Sequence, residues 1–580
     1  MEKLRGLLRE QTWLFGVGLL LGSWALIRPW GEYPLNDDWV YARITKHLAE
    51  TFAFKVDVGC STSLLGQAIL GALVVKLFGF SHRNLRCLTM LLGLLGLWLV
   101  DRLLVAVGVR PRVRGLLSAV LALNPLYQYL SASFMSEIYG WVPALGAALL
   151  WFSARRRRAG LSGALISLRT AMLVGLLSGL TFWARQFAVL VLPSLFLGSL
   201  LPLVLRRQWQ RVKVSLPALL ASTAVCVATL GLFFFVTRAS GAEANSHVAD
   251  HARAILEVDL NATLVDGGML TVYLTAFLLP LLLWLPWEGG SWRNGIRALV
   301  LLALLFHVRG HIVAAADSDF GPWQTVHRVF PYAGNVLHNA GIGPVTLDDV
   351  WHAGLPAPRW PRQTWVVIEA ALLLASVFWV PFFTRTRRIV REGTELEQEA
   401  LVFGLGLSLS SFLAFSQAYK LLGFDRYYIP CVLGTGIAVA VMASPSHVRW
   451  PRMRALATLA CLLPVGWFSV AGVHDQFRWN DARWLLVRTA LAAGADRNSI
   501  QAGLEVNGWL DYDDRLSHRV SPTCIGGRCG CAFPGFDCMD DSYRVGMNLL
   551  GSYVPLAKVE PGYWLAPGPP LILSQRLGPW

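Results

Sequence analysis

The sequence predicts an all-α polytopic membrane protein closed by a small α+β domain outside the membrane. Three observations carry this. Hydrophobic residues make up 55% of the 580 residues and charged residues only 15%, whereas soluble chains carry about a quarter charged. Apolar runs of the length a bilayer demands, about 17–25 residues, recur along most of the chain. The Arg clusters fall on alternate connections between those runs, as the cytoplasmic excess of positive charge requires. The formal net charge of +15 is therefore punctuation between spans, not the basic stripe of a nucleic-acid-binding protein. The 24 Trp suit membrane interfaces.

The first apolar run, Trp13–Ile27, follows Lys3, Arg5 and Arg9 as in a signal peptide. Arg28-Pro29-Trp30 follows with no small-x-small cleavage site, so the run is read as an uncleaved span with a cytoplasmic N-terminus. Spans are expected near 12–28, 87–107, 115–131, 138–153, 170–184, 187–205, 214–236, 268–286, 296–316, 364–383, 399–417, 428–443 and 455–472, about thirteen in all. The clusters at Arg110, Arg112 and Arg114, at Arg155–Arg158, at Arg206, Arg207, Arg211 and Lys213, at Arg293 and Arg297, at Arg385–Arg391 and at Arg449–Arg454 then lie on the cytoplasmic side. The more acidic connections 29–86, 237–267, 317–363 and 418–427 lie opposite. The apolar stretch Leu64–Phe80 holds Gln67 and Lys76 and would invert this alternation if it spanned. It is expected to lie along the outer interface.

An odd span count leaves 473–580 as an extracytoplasmic domain beyond a membrane module of residues 1–472. In it, Asp475–Asn498 reads as an amphipathic helix, and Ser499–Val506 and Tyr563–Leu573 as strands. Cys524, Cys529, Cys531 and Cys538 do not follow the usual zinc spacing. In an oxidising space they favour at least one disulfide over a metal site or free thiols.

Charged residues at the outer membrane exits are the candidates for chemistry. Asp37 and Asp38 follow the first span. Adjacent helical residues point about 100° apart, so the two carboxylates cannot easily share one proton site. One is expected to face a cavity and the other a metal, a hydrogen-bond partner or water. Glu137 starts a span, where an acid needs solvent or a partner. Arg185 and Arg426 stand in short outer connections beside aromatics, Tyr427 among them. Such cations suit phosphate. On their own, the acids also fit solvated loops, and the arginines fit snorkelling to the interface. His247 and His251, and His307 and His311, are spaced i, i+4 but lack a clear third metal ligand, which favours a structural role. No phosphate-binding glycine loop precedes a helix, which argues against ATP-driven transport.

Taken in order, these elements resemble the GT-C superfamily of polyprenyl-phosphate-dependent glycosyltransferases. The likeness is to the branch of lipid A aminoarabinose transferases and protein O-mannosyltransferases. It rests on Asp37-Asp38 with Tyr41, on Leu77-Phe78-Gly79 ending an interfacial helix, on Arg86, on Glu137, on Arg185-Gln186 and on Arg426-Tyr427-Tyr428-Ile429-Pro430. Glu137 stands where the family usually has Asp. No Lys-Pro-Pro-like stretch precedes the interfacial helix, where Ser61–Gln67 stands instead, and this bears on acceptor identity more than on reaction type.

The resemblance implies an enzyme of the bacterial-type inner membrane. It would move a sugar from a polyprenyl-phosphate donor to a glycolipid, polysaccharide or protein, by single displacement with inversion. It assigns Asp37, Asp38 and Glu137 to catalysis, Arg185, Arg426 and Tyr427 to the donor phosphate, and Tyr41 and Gln67 to support of the first loop. Some members use a divalent metal and others none. Two alternatives compete. A lipid-linked saccharide flippase or transporter commonly shows internal repeats, and none is evident. A surface polysaccharide polymerase would want a large Arg-rich outer loop.

Overall fold

The computed structural model describes residues 11–56, 60, 64–158, 163–240, 253–255, 257–287, 292–317, 327–351, 360–419, 424–444, 451–517, 541–565 and 568–577. The four tail cysteines, together with His247, His251 and His352, lie outside these residues.

The chain is mostly helical. Helix α1 (Trp13–Ile27) leads to α2 (Asp38–Thr51) and α3 (Leu65–Phe78) of the first long connection. There follow α4 (His82–Val107), α5 (Pro111–Ala122), α6 (Pro125–Ser131), α7 (Ser136–Arg157), α8 (Leu168–Phe182), α9 (Val191–Leu205), α10 (Trp209–Ala239), α11 (Leu260–Leu282) and α12 (Trp292–Asp317). The second half holds α13 (Asp348–Trp351), α14 (Arg362–Ala375), α15 (Trp379–Glu392), α16 (Glu395–Tyr419), α17 (Ile429–Ala443), α18 (Pro451–Ala492) and α19 (Leu504–Ser517). Among the described residues, nine helical runs are long and apolar enough to cross a membrane. The chain is an integral membrane protein.

Each expected span overlaps a helix, yet nine such runs are fewer than the thirteen spans expected. Helices α1 and α8 are apolar but short. The expected span 115–131 is broken between α5 and α6. There Asn124 caps α6 by accepting the Leu126 and Tyr127 N–H groups at 2.9 and 3.1 Å. Pro125, lacking an N–H, cannot extend the helix before it. Helix α3 packs on α2 so closely that a Cβ on Gly71 would meet Thr45 Cγ2 at 2.6 Å. Its other side exposes Ile69, Leu70, Leu73, Leu77 and Phe78, an apolar face suited to lipid.

The expected last span and the expected tail helix are one element. Helix α18 runs 42 residues without a break, about 63 Å at 1.5 Å per residue. Residue 473 lies inside it. Hydropathy falls there, but no helix breaker stands until Gly494, which takes φ +92° just past the end.

Helix α18 packs against a four-stranded sheet of β3 (Ile500–Gln501), β4 (Tyr543–Gly546), β5 (Tyr553–Val559) and β6 (Leu571–Arg576) in the order β3-β4-β6-β5. Strand β3 pairs parallel to β4, and the other pairs are antiparallel. The expected strand 499–506 is cut short because Gly503 turns with φ +94° and α19 begins. The expected strand 563–573 starts only at Leu571, because Pro569 and Pro570 cannot donate to a ladder.

Polar contacts gather at two ends of the bundle. At one, Arg155 bonds Glu395 and Glu399, Arg211 meets Glu395 at 2.8 Å, and Arg114 meets Asp101 at 3.0 Å. Basic clusters assigned by sequence to one side are thus joined there. The other end holds the connections that the sequence assigns to the opposite side, and the candidate site.

Candidate active site

The first connection is held before it reaches the acidic pair. The Arg86 guanidinium donates to the carbonyls of Pro29, Gly31 and Tyr33 at 3.0, 2.8 and 2.9 Å. The Tyr33 hydroxyl donates to Asp481 and to the Phe477 carbonyl of α18 at 2.8 and 3.0 Å. Asn36 then turns with φ +51°, a conformation Asn tolerates better than most residues, and α2 begins.

The two aspartates diverge, Asp37 to partial exposure beside Arg426 and Asp38 to buried hydrogen-bond partners. Asp38 is 2% exposed and accepts the N–H groups of Leu35 and Phe134, the latter at 3.1 Å. Burial pushes its carboxyl up to about 8, against the opposing Arg86 charge and those two N–H donors. Asp37 keeps its side chain 32% exposed, with Oδ2 2.9 Å from Arg426 Nη1. Burial and the Asp37 charge push the Tyr41 phenol well above its usual range, leaving it a neutral donor.

Glu137 sits in the first turn of α7, where the helix dipole favours a carboxylate. Its Oε1 lies 3.2 Å from Arg185 Nη2 and 3.6 Å from Arg426 Nε. These are ionic contacts without hydrogen-bond alignment. Arg185 precedes the 3₁₀ turn Gln186–Leu190, donates to Ser136 Oγ at 3.2 Å and lies over the Tyr427 ring at 4.6 Å. Arg426 sits on the 3₁₀ turn Asp425–Tyr428, beside the rings of Phe424 and Tyr427 at 5.2 and 5.4 Å. That turn is fixed from below, since the Asp425 carboxylate accepts the N–H groups of Val336 and Leu337.

Gln67 acts on the scaffold. Its amide donates to the Phe134 carbonyl at 2.8 Å, so Phe134 is gripped at its C=O by α3 and at its N–H by Asp38. Gly66 N–H meets the Trp183 carbonyl at 2.8 Å, tying α3 to the turn that bears Arg185.

Three supporting residues were not singled out by the sequence reading. Glu505 of α19 accepts the Asn36 N–H at 3.1 Å and pairs with buried Arg483 of α18 at 2.9 Å. Burial would raise the Glu505 carboxyl, but the Arg483 charge and hydrogen bonds outweigh it and hold the group below its usual range. Gly140 lies one turn after Glu137, and a Cβ there would stand 2.4 Å from Arg185 Cβ. A helical glycine beside an acid was the available signal for Gly140. Glu505 and Arg483 gave none, being far from the loop in sequence.

Among the described residues no group of three or more His, Cys, Asp or Glu is arranged to hold a metal ion. The Arg426 guanidinium stands between Asp37 and Glu137, where a cation would need to sit. This donor set does not fit a resident metal. His307 and His311 face each other at 3.4 Å on the exposed side of α12.

The arrangement provides one half-exposed carboxylate, one buried carboxylate and two cations at a single point. No protein-family model matches the chain, and no curated protein matches it significantly in sequence. In fold it is similar to the archaeal oligosaccharyltransferase AglB from Archaeoglobus fulgidus, solved with an inhibitory peptide and a dolichol-phosphate. The identity is 13% and the TM-score 0.44, over 87% of this chain and 64% of that one. The chain thus spans less than two thirds of the archaeal enzyme's length. It is also similar to ArnT from Cupriavidus metallidurans, solved bound to undecaprenyl phosphate, at 12% identity and a TM-score of 0.45, over 83% of this chain and 81% of that one. The likeness to these two GT-C enzymes extends over most of the chain at low sequence identity.

Proposed function

We propose that this protein is a GT-C-type glycosyltransferase, transferring a sugar from a polyprenyl-phosphate donor to an envelope acceptor at the outer face of the inner membrane. The observation that supports this is the reach of one guanidinium, Arg426, to both Asp37 and Glu137, with Arg185 sharing the same Glu137 oxygen. Acid and cation side by side match what the transfer requires.

In this reading about thirteen spans, the shorter helices included, form the membrane module. The N-terminus is cytoplasmic, and the region beyond about 473 is extracytoplasmic. The donor phosphate lies at headgroup level and draws the Arg426 and Arg185 guanidiniums, with Tyr427 stacked beneath them. As Arg426 turns to phosphate, Asp37 Oδ2 loses its partner and takes the proton of an acceptor hydroxyl. The acceptor oxygen bonds the anomeric carbon as the bond from that carbon to the phosphate oxygen breaks. The electron pair leaves with the polyprenyl phosphate, whose growing charge the two arginines neutralise. A single displacement inverts the anomeric centre. Glu137 holds the arginines in place, Asp38 and Gln67 fix the Phe134 turn, and Tyr41 packs beside the base.

The test is transfer of labelled sugar from a polyprenyl-phosphate donor by the purified protein in detergent, with envelope extract as acceptor. Mass spectrometry of envelope glycans and lipids from a deletion strain would identify the product. Unchanged envelope chemistry in the deletion, with no label leaving the donor, would overturn the reading.

A further inference from the structure

Helix α18 carries an apolar stripe with a sharp end. Met453, Leu456, Leu459, Leu463 and Trp467 recur every three or four residues, on one helical face, and all are exposed. The helix is long and apolar enough to cross a membrane, so this face meets lipid. Past Trp467, the next large apolar side chain that α18 exposes among the described residues is Leu485.

The C-terminal region touches down where the stripe ends. The segment 560–565 lies between β5 and β6, and Gly562 turns it with φ +73°. The Trp564 indole lies parallel to that of Trp467, with 4° between the planes and 6.1 Å between the centroids. It also stacks on His474, two turns further along α18, at 3.7 Å and 11°. Asp475 pins the backbone there, accepting the Trp564 and Leu565 N–H groups at 2.7 and 2.9 Å. A ring stack serving only as core packing would be covered. Here Trp467 is 56% exposed and Trp564 41%.

The height of this contact along α18 is that of a membrane boundary. Arg452 and Arg454 stand just before residue 455, where the expected span begins. Asp475 lies about 30 Å beyond residue 455 along the helix axis, which is the thickness of the hydrocarbon layer. Asp475 holds the Trp564 backbone at that height, and the indole reaches back toward Trp467, about 12 Å lower. An indole, apolar in body and polar at its N–H, favours this boundary.

We propose that Trp564 and Trp467 form a membrane-interface anchor, through which the segment between β5 and β6 sits in the headgroup layer and binds the C-terminal sheet to the lipid surface. The occupant of this surface is the bilayer itself, because the exposed ring pair continues the lipid-facing stripe of α18. The inference stands on the membrane span alone and not on the proposed function. The anchor fixes the height at which the far half of α18 stands, and with it the Arg483–Glu505 pair.

The experiment uses the full-length wild-type protein in phosphatidylcholine nanodiscs. A fraction of the lipid carries a diazirine near the glycerol end of one acyl chain. After irradiation, labelled residues are mapped by mass spectrometry. Label is expected on Trp467 and Trp564 and not on Leu485, which lies about 27 Å beyond Trp467 along the same helix. Trp564→Ala should lose the label from 560–565 and gain label on Trp467, whose ring face it uncovers. Trp564→Phe should keep the label. The wild-type protein decides the matter whether or not the variants fold. Absence of label from Trp564, or label on Leu485 as strong as on Trp564, overturns the proposal.

Discussion

Oδ2 of Asp37 lies 2.9 Å from Nη1 of Arg426, 389 residues away in sequence. The contact makes one unit of the connection that follows α1 and the short turn that precedes α17. Both ends of it are held by backbone groups. Asp38 grips Leu35 and Phe134 beside Asp37, and Asp425 grips Val336 and Leu337 beside Arg426. An arginine held this firmly can change partner only by moving its guanidinium, which is what a donor phosphate at this place would ask of it.

Asp37→Asn is expected to abolish transfer in a folded, inserted protein. The amide keeps the size of the side chain and can still accept from Arg426, but it cannot take a proton. Loss of a general base costs about a hundred- to ten-thousand-fold. Turnover from a polyprenyl-phosphate sugar at equal expression is the measurement. Wild-type turnover would remove Asp37 from the role of base.

Gly140→Ala should damage donor use without touching the donor. The new Cβ would lie 2.4 Å from Arg185 Cβ, so α7 or the Arg185 turn must shift. Overpacking of this kind costs about 1–3 kcal/mol. Gly146→Ala is the control on the same helix, since its Cβ would meet only Leu177 Cδ1, at 3.6 Å. A raised donor KM in Gly140→Ala alone is expected; equal kinetics in the two variants would discard the packing argument.

The membrane segments were legible because a bilayer fixes span length and leaves apolar runs as its trace. The grouping of Arg114, Arg155 and Arg211 away from the Asp37 end was legible through charge alternation. The continuity of α18 through residue 473 was not, because falling hydropathy looks like a boundary while helix formation needs only the absence of a breaker. Asp37, Glu137, Arg185 and Arg426 could be named from residue type at a membrane exit, and the fold brings them to one point. Their support by Glu505 and Arg483 could not. The Glu505 carboxylate reaches the Asn36 backbone across 469 residues, and neither residue belongs to a local motif. The Gln67 amide donates to the Phe134 carbonyl, a partner 67 residues away that no local pattern indicates.

Asp38 gives the fold a pH dependence of defined sign. Its folded value of about 8 lies above its ordinary 3.8, so the folded state holds the proton more tightly than the unfolded chain. The stability this contributes is fully present below about pH 4 and is lost as pH rises through about 8. Thermal unfolding in detergent should show this decline in the wild type. Asp38→Asn removes the titration and should flatten it over that window. An unchanged slope would place the dependence on another group.

Glu505→Gln tests whether the C-terminal region positions the acidic pair. Glu505 and Arg483 are both fully buried, and removing one charge of such a pair costs about 3–5 kcal/mol. The variant should melt lower. It should also lose kcat more than donor affinity, because the Asn36 turn before Asp37 loses a charged acceptor. Pairing it with Arg483→Met, which removes the stranded cation, should restore part of the stability and little of the turnover. Recovery of both together would make the pair purely structural.

Arg426→Lys separates charge from geometry at the centre of the site. Lysine keeps one positive charge but presents a single ammonium, where the guanidinium reaches Asp37 with Nη1 and Glu137 with Nε. The lysine variant is therefore expected to stay close to wild-type stability, since the buried Glu137 keeps cations nearby in Arg185 and the ammonium. Its transfer should still fall about ten- to a hundredfold, the worth of a charged hydrogen bond to phosphate. Arg426→Ala should lose stability as well, because Glu137 then keeps only Arg185. The readouts are unfolding temperature and donor KM, measured on both variants. If lysine restores full transfer, Arg426 acts as a bulk charge, and the shared guanidinium has no part in releasing Asp37.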